Sequence, residues 1–407
     1  MKKIFELLLI VFCISSSVLA IEDEVILQQA EEKLNNTTAS KEENFELPII
    51  LEPEEVAPEV KEEERYSPYS KEALKGILTK EYDLNSPSGM FKDQLTFKFK
   101  KGPFEELGTQ LNLISTMTET MGEETDSNFK FKMNTINYAI RGKFRGGKES
   151  FNILTDMSPI KQNFMHRFIL DAFIETKRIP HHSLIFGTSR PFVGYEGGMS
   201  PYLIPLIARS QTARNFGNVR KTGIRLKGDF KYIDYDIGGY SSDTFYSEFF
   251  PGVETDLWLN FKPLANLNPE KAGKLNISGG FQTGMRNGHD YRVMSSALRY
   301  DYKRLGFTSE FQYADGSNGA SGITEDQRWG YNATLMYRLT KKLQIVARFD
   351  DFNNNTHIAH NNTREYTAGI NYFILGQTFR MMLNYVYCQN MAANDTHKII
   401  IGGQMLL

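Results

Sequence analysis

Basic side chains are concentrated in one stretch of the chain. Residues 190–221 contain five of them against a single acid, Glu196. Guanidinium and ammonium groups attract anions, and a narrow aqueous passage with low-dielectric walls focuses their field. If the stretch folds into such a passage, it predicts a positive constriction for anions. The alternative is an external loop that binds anionic lipopolysaccharide. The basic residues of this stretch are Arg190, Arg209, Arg214, Arg220 and Lys221.

Further basic residues alternate with apolar ones. Arg225 and Lys227 flank Leu226, and the same alternation surrounds Arg348 and Arg380. In a strand, alternate residues point to opposite faces, so the basic residues share a face that the apolar residues avoid. On a lipid-facing surface at mid-bilayer each basic residue would cost about 2–4 kcal/mol. We therefore predict that all four line a lumen, together with the five residues of the 190–221 stretch.

The elements that carry these residues are predicted to be membrane-spanning strands. Segments of about ten residues with alternating polarity recur through the chain, and residues 397–407 form the last of them. Lipid provides no hydrogen-bond partners, so a spanning sheet must close on itself. The predicted fold is an all-β transmembrane antiparallel β-barrel with a short acidic N-terminal extension.

The strand number follows from parity. Seventeen candidate strands fit between residues 92 and 407, with short and long connections alternating, the long ones including 118–128, 190–220 and 315–328. If the C-terminus is periplasmic, every long connection falls outside. An odd number leaves segment 92–100 unpaired. Adding a strand near 75–83 gives 18 strands, and removing 92–100 from the wall gives 16. The prediction is therefore 16–18 strands.

The N-terminus indicates export. Lys2 and Lys3 precede an apolar run that is too short to span a bilayer, and Ala20 ends a signal-peptidase site. Residues 21–66 hold fifteen acidic and four basic side chains, which leaves +8 for residues 67–407 of a chain with net charge −2. We predict a signal peptide over 1–20, an acidic periplasmic leader over 21–75, and a barrel over 76–407 with an inward-folded loop near 190–220.

The sequence does not favour metal binding, hydrolysis or nucleic-acid binding. His181 and His182 are too few for a metal site, and the sequence around His289 and Asp290 lacks a nucleophile motif. The glycine-rich residues 314–322 are predicted to form a flexible external loop. The basic residues alternate along strands rather than cluster on a helix, so no nucleic-acid partner is expected. We predict no catalytic residue, no metal and no cofactor.

Several segments resemble the phosphate-selective porin O and P family. They are residues 186–194 (FGTSRPFVG) followed by Glu196, then Arg209-Ser210, then the strand 223–228, and the late segments 348–356 and 364–374. The resemblance covers roughly residues 90–407. It implies a trimeric, 16-stranded, anion-conducting barrel, and Arg209 is the loop position carried over from it. One departure is Leu407, which stands where barrel-assembly signals usually have an aromatic residue.

The predicted function is passive diffusion of anions, with phosphate as a candidate, and of small polar solutes across the outer membrane of a Gram-negative-type bacterium. The expected partners are outer-membrane lipid and lipopolysaccharide, the barrel-assembly machinery, small anionic solutes and two further copies of the chain. The alternative function is that of a structural or adhesive surface barrel without significant transport.

Overall fold

The computed structural model describes residues 96–122, 128–158, 168–243, 249, 251–319 and 322–406. The predicted signal peptide and acidic leader lie outside these ranges. Within them the chain is all-β, with seventeen strands and three short helices. The strands are β1 (Thr96–Lys98), β2 (Phe104–Gly122), β3 (Asn128–Phe144), β4 (Glu149–Asp156), β5 (Ile169–Thr176), β6 (His182–Ser189), β7 (Lys221–Asp229), β8 (Ile233–Ser241), β9 (Val253–Phe261), β10 (Lys274–Arg286), β11 (His289–Tyr302), β12 (Leu305–Gly319), β13 (Gly322–Arg338), β14 (Leu343–Asn353), β15 (Asn362–Leu375), β16 (Phe379–Asn390) and β17 (Thr396–Leu406). The helices are α1 (Tyr195–Gly198), α2 (Gln211–Asn215) and α3 (Pro269–Ala272).

Strands β2 to β17 form a closed antiparallel barrel of 16 strands. Each pairs with the next along the chain, and β17 pairs with β2 from Thr396 opposite Gly122 to Leu406 opposite Asn112. The short β1 pairs with β2 around Leu107, beyond the end of that seam. The predicted barrel is confirmed at 16 strands, and the segment that parity left unpaired does not contribute a full wall strand.

The two faces of each strand differ as the alternation predicted. In β14, Ile345 and Ala347 are exposed, whereas Arg348 and Asp350, which follow them on the opposite face, are buried. An outward row of aromatic rings crosses β13 to β16 near the end of the barrel that carries the 190–220 connection, with ring centroids 5.2 Å apart between Phe349 and Tyr366 and 6.4 Å apart between Tyr331 and Phe349. Such aromatic girdles mark the membrane interfaces of outer-membrane barrels. We call this end of the barrel the loop end and the opposite end the turn end.

Three local predictions are wrong. The alternation of residues 164–176 predicts that Leu170 faces lipid together with Ile174. The pairing of β4 with β5, however, shifts by one residue between Leu154 and Thr155, so Leu170 is buried and Ile169 is exposed instead. Residues 315–328, predicted as a long loop, belong mostly to the β12–β13 hairpin, whose strands reach Gly319 and Gly322. The connection 262–273, which contains α3, lies at the turn end, so long connections are not confined to the loop end.

The short helices are too small to span a bilayer. In the described ranges no helix is long and apolar enough to cross a membrane. Helix α3 begins after Asn268, whose side chain accepts a hydrogen bond from the Glu270 amide, and has Pro269 in its first turn.

Candidate functional site: loop 3 and its arginines

Residues 190–220, the third connection at the loop end, are called loop 3 below. Loop 3 contacts the inward-facing side chains of strands that come much later in the chain. The Ile207 amide donates to Asn384 Oδ1 at 2.8 Å, and the Gln211 amide donates to Asp350 Oδ1 at 3.0 Å. Asn371 Nδ2 donates to the Pro205 carbonyl at 2.7 Å. Polar side chains of β14, β15 and β16 thus form hydrogen bonds with backbone and side-chain groups of loop 3 that would otherwise lack a partner in the barrel.

An apolar cluster joins loop 3 to the strands on another side. Val193 and Phe216 of loop 3 pack with Val293 of β11, Ala314 of β12 and Phe352 of β14, and all five are nearly fully buried. The rings of Phe216 and Phe352 meet edge to face, with centroids 5.9 Å apart. These residues interrupt an otherwise polar inner surface. They bury apolar area that lumen water would otherwise cover, which stabilises the position of the loop.

Glu310 of β12 holds the first helix of the loop. Its two carboxylate oxygens accept hydrogen bonds from the backbone amides of Tyr195 at 2.8 Å and Glu196 at 3.2 Å. The close approach requires a glycine at position 194, which has a φ of 79°. A Cβ there would overlap the side chains of Gln312 and Glu310. Charged acceptors form the stronger class of hydrogen bonds, so this contact fixes the start of α1.

Three arginines come together where loop 3 meets β5 and β7. The guanidinium groups of Arg190 and Arg209 both donate to the Met199 carbonyl, from Arg209 at 2.6 Å. Arg220 Nε donates to Asp171 Oδ1 at 3.0 Å. Burial lowers the pKa of Arg190 well below its usual value, and the positive charges of Arg220 and Arg209 add to the effect. We call Arg190, Arg209 and Arg220 the arginine cluster.

Arg209 remains charged at neutral pH. Burial lowers the pKa of the Arg209 guanidinium to about 10, against the opposing attraction of Glu196. That value is still well above 7, so the protonated form dominates. For Arg190 and Arg209 the hydrogen-bond acceptors found in the described ranges are carbonyl oxygens rather than carboxylates. A dipole offsets less of a full charge than an ion pair does, and the cluster therefore keeps a positive field.

Most of the other predicted pore residues are paired with carboxylates. Arg214 Nη2 lies 2.7 Å from Glu365 Oε2, and Arg348 Nε lies 2.7 Å from Asp350 Oδ2. The remaining pairs are Lys221 with Glu254 and Arg225 with Asp236. The strand alternation that placed the basic residues on the inner face gave no information about these partners, because cross-strand register decides which side chains meet.

Three of the predicted residues differ in their access to water. The sequence predicts that Lys221 lines the lumen. In the structure Lys221 is 1% exposed, so its ammonium group does not reach the lumen. Arg380 is also 1% exposed and donates to the Ile204 carbonyl at 3.2 Å and to Gln404 Oε1 at 2.8 Å. Lys227 is partly buried on the inner face of β7.

A pocket lies on the turn-end side of loop 3. It is bounded by the loop residues Tyr195, Met199 and Leu203 and by Arg299 and Phe373 of the wall, among others. Its lining mixes ion-paired arginines with apolar side chains, so it offers hydrogen-bond donors without a nucleophile held beside a base. In the described ranges no group of three or more His, Cys, Asp or Glu side chains is placed to hold a metal ion.

A porin family model matches part of the chain. Residues 325–399 match the family described as phosphate-selective porin O and P. The predicted resemblance to that family is confirmed. The match runs from within β13 to the first residues of β17 and includes the two late segments that carried the resemblance in the sequence.

Solved structures match the fold over most of its length. The outer-membrane channel DcaP of Acinetobacter baumannii is 10% identical, with a TM-score of 0.56 over 77% of this chain and 100% of that one. The anion-selective porin of Comamonas acidovorans is 10% identical, with a TM-score of 0.57 over 74% and 99%. The chain has the fold of these outer-membrane barrels. The comparison with curated protein sequences gave no match.

Proposed function

We propose that this chain is an outer-membrane porin that passes small anions and polar solutes passively down their gradients, and that the arginine cluster sets its preference for anions. The observation that carries the proposal is the separation of the basic residues into two groups. Arg214, Arg220, Lys221, Arg225 and Arg348 are paired with carboxylates, whereas Arg190 and Arg209 donate to carbonyl oxygens. An uncompensated positive group beside the passage favours anions over cations.

Loop 3 is proposed to narrow the passage at the level of this cluster. It hydrogen-bonds to inward side chains of β14 to β16, and its Phe192 ring stacks on Trp258 of β9 at 5.9 Å. A segment held at such separated points restricts the open cross-section to the side where Arg190 and Arg220 lie beside Asp171. Narrow and water-poor surroundings strengthen the interaction of these charges with a passing ion.

The proposal extends to the processing of the chain, its oligomeric state and its partners. We propose cleavage after residue 20, a periplasmic leader over 21–75 and a barrel over 76–407. We also propose a homotrimer, supported by the trimer form of OmpT of Vibrio cholerae, to which the fold is similar with a TM-score of 0.52. Lipid, lipopolysaccharide, the barrel-assembly machinery and small anions, phosphate among them, are its proposed partners, and the proposed activity involves no catalytic residue or cofactor.

The zero-current potential in a KCl gradient tests the anion preference. Arg190→Gln is the informative substitution, because Arg190 donates to a loop carbonyl and its removal leaves no buried carboxylate without its partner. Lys231→Gln, in the exposed turn between β7 and β8, removes an equal charge far from loop 3 and is the matched control. Heat-modifiable migration on gels verifies that each variant is folded.

We expect the wild type to prefer anions and Arg190→Gln to lose much of that preference. One charge at about 4 Å from an ion contributes about 1 kcal/mol in bulk water and more in a narrow passage. This corresponds to at least roughly a fivefold change in the local anion-to-cation ratio. The difference should shrink at 1 M salt, where the Debye length is about 3 Å. A cation-preferring wild type contradicts the proposal, and a wild type without conductance favours the adhesive barrel.

A further inference from the structure

On the inner face of β8, β9 and β10 lies a group of buried oxygen atoms that have no hydrogen-bond partner in the described part of the chain. Asp256 is 4% exposed, Gln282 is 3% exposed and Tyr240 is 5% exposed. Both carboxylate oxygens of Asp256, the Gln282 Oε1 atom and the Tyr240 hydroxyl form no hydrogen bond with any residue that the structure describes. Buried polar atoms in folded proteins are nearly always bonded, so four such atoms in one place require an explanation.

The strand register brings these atoms together. Asp256 lies opposite Gly238 of β8 on one side and opposite Gln282 of β10 on the other. The Tyr240 ring folds back over Gly238, since a Cβ at that glycine would overlap the Tyr240 hydroxyl. The hydroxyl therefore lies beside the position that faces Asp256. A carboxylate, an amide and a phenol thus occupy facing positions on three neighbouring strands of the wall.

The charges around this point leave one negative charge uncompensated. Glu254, the inward neighbour of Asp256 on β9, is ion-paired with Lys221 and accepts a hydrogen bond from Gln282 Nε2 at 2.8 Å. Arg225, the nearest arginine on β7, is occupied by Asp236. Since each nearby basic group already has a carboxylate, Asp256 has no ion-pair partner within the described ranges. A buried charge without a counter-ion is strongly disfavoured in proteins.

We propose that Asp256, Gln282 and Tyr240 bind one alkali metal ion, Na⁺ or K⁺, inside the barrel wall. All the available ligand atoms are oxygens, which suits a hard cation. A single unmatched carboxylate matches a single positive charge, and a divalent ion would leave an excess charge. The inference goes beyond the proposed function, because it places a bound cation in the wall of a channel for anions.

The stability of the barrel in different salts tests this site. The wild type, Asp256→Asn and Asp229→Asn are unfolded by urea in KCl or in choline chloride of equal ionic strength, with gel migration as the readout. Choline is too large to enter the wall. Asp229, the last residue of β7, has an 88% exposed side chain, so Asp229→Asn is the matched control for removal of a carboxylate.

We expect K⁺ or Na⁺, but not choline, to stabilise the wild type and the control. A ligand that binds the folded state lowers the unfolding equilibrium constant tenfold for each tenfold rise in its concentration above the dissociation constant. The Asp256→Asn variant should show no difference between KCl and choline chloride. Equal wild-type stability in the two salts overturns the proposal and means that Asp256 is protonated rather than bound to a metal ion.

Thallium(I) provides a direct measurement that does not depend on stability. It replaces K⁺ and quenches tryptophan fluorescence at short range. The chain has two tryptophans, and Trp258 lies two residues from Asp256 on the same face of β9. In a Trp329→Phe background, thallium acetate should quench Trp258 at low concentration, and potassium acetate should reverse the effect. Quenching that is equal with and without Asp256→Asn, or that K⁺ does not reverse, contradicts the site.

Discussion

Truncation of Phe216 should release loop 3 while the barrel stays folded. Phe216 is 1% exposed and contacts Val193 of its own loop together with wall residues of β11, β12 and β14. Replacement of a buried Phe by Ala costs about 3–5 kcal/mol. The strand ladders keep their hydrogen bonds in this variant, so the lost free energy falls on the attachment of the loop rather than on the closure of the barrel.

The size of the effect follows from that free energy. With 1.4 kcal/mol for each factor of ten, the population of detached loop should rise about 100-fold to a few thousand-fold. Trypsin cleavage after Arg209 and Arg214 reports this population, because cleavage follows the open fraction when the loop recloses quickly. We expect the cleavage rate of Phe216→Ala to rise in that proportion, and open-channel current noise to rise with it.

Phe311→Ala is the matched control. Phe311 lies on β12 but is 43% exposed on the outer face, so the same atoms are removed without a contact to loop 3. Its rate of cleavage within the loop should equal that of the wild type, whatever happens to barrel stability. If Phe216→Ala and Phe311→Ala are cleaved equally slowly, the apolar cluster does not hold the loop. If Phe216→Ala fails to migrate as a folded barrel, the assignment of the lost free energy to the loop is wrong.

Two further substitutions test other contacts of the inner wall. Gly194→Ala should displace the start of α1, because its Cβ overlaps Glu310 and Gln312 and its φ of 79° is unfavourable for alanine, so trypsin should cut the loop faster than in the wild type. Lys221→Met should lower the free energy of unfolding by about 3–5 kcal/mol, because Glu254 then stays buried without its partner. A urea titration measures this loss. The double variant Lys221→Met with Glu254→Gln should recover most of it. An unchanged urea midpoint in the single variant would mean that the pair contributes no net stability.

The fold was largely predictable because alternation is a local property. Each strand shows its inner and outer faces in its own residues, as Ile345 and Arg348 do, and parity of the connections limited the strand number to 16 or 18. The bulge between β4 and β5 was not predictable, since one extra residue near Leu170 changes the face without changing the composition. The β12–β13 extension was missed because its glycine-rich tip has the composition of a loop.

The candidate site was predictable only in part. The sequence pointed to Arg190, Arg209 and Arg220 as basic residues of one stretch, but it contained no sign of the carboxylates that compensate Arg225 and Arg348. Such partners depend on cross-strand register and on contacts between residues far apart in the chain, such as Arg348 with Glu196 at 3.7 Å. Likewise, the sequence does not distinguish Asp256 from other inward-facing acidic residues, because only the strand register places Gln282 and Gly238 opposite it.

The contacts of loop 3 constrain the order in which the barrel is assembled. The loop follows β6, yet its partners Asp350, Asn371 and Asn384 belong to β14, β15 and β16, which are synthesised much later. A folded loop could not be threaded into a wall that had already closed. We therefore expect loop 3 to fold first and the C-terminal strands to pack around it, with the seam between β17 and β2 forming last. Mispacking of the loop would then appear as an unclosed barrel during biogenesis rather than as an altered channel.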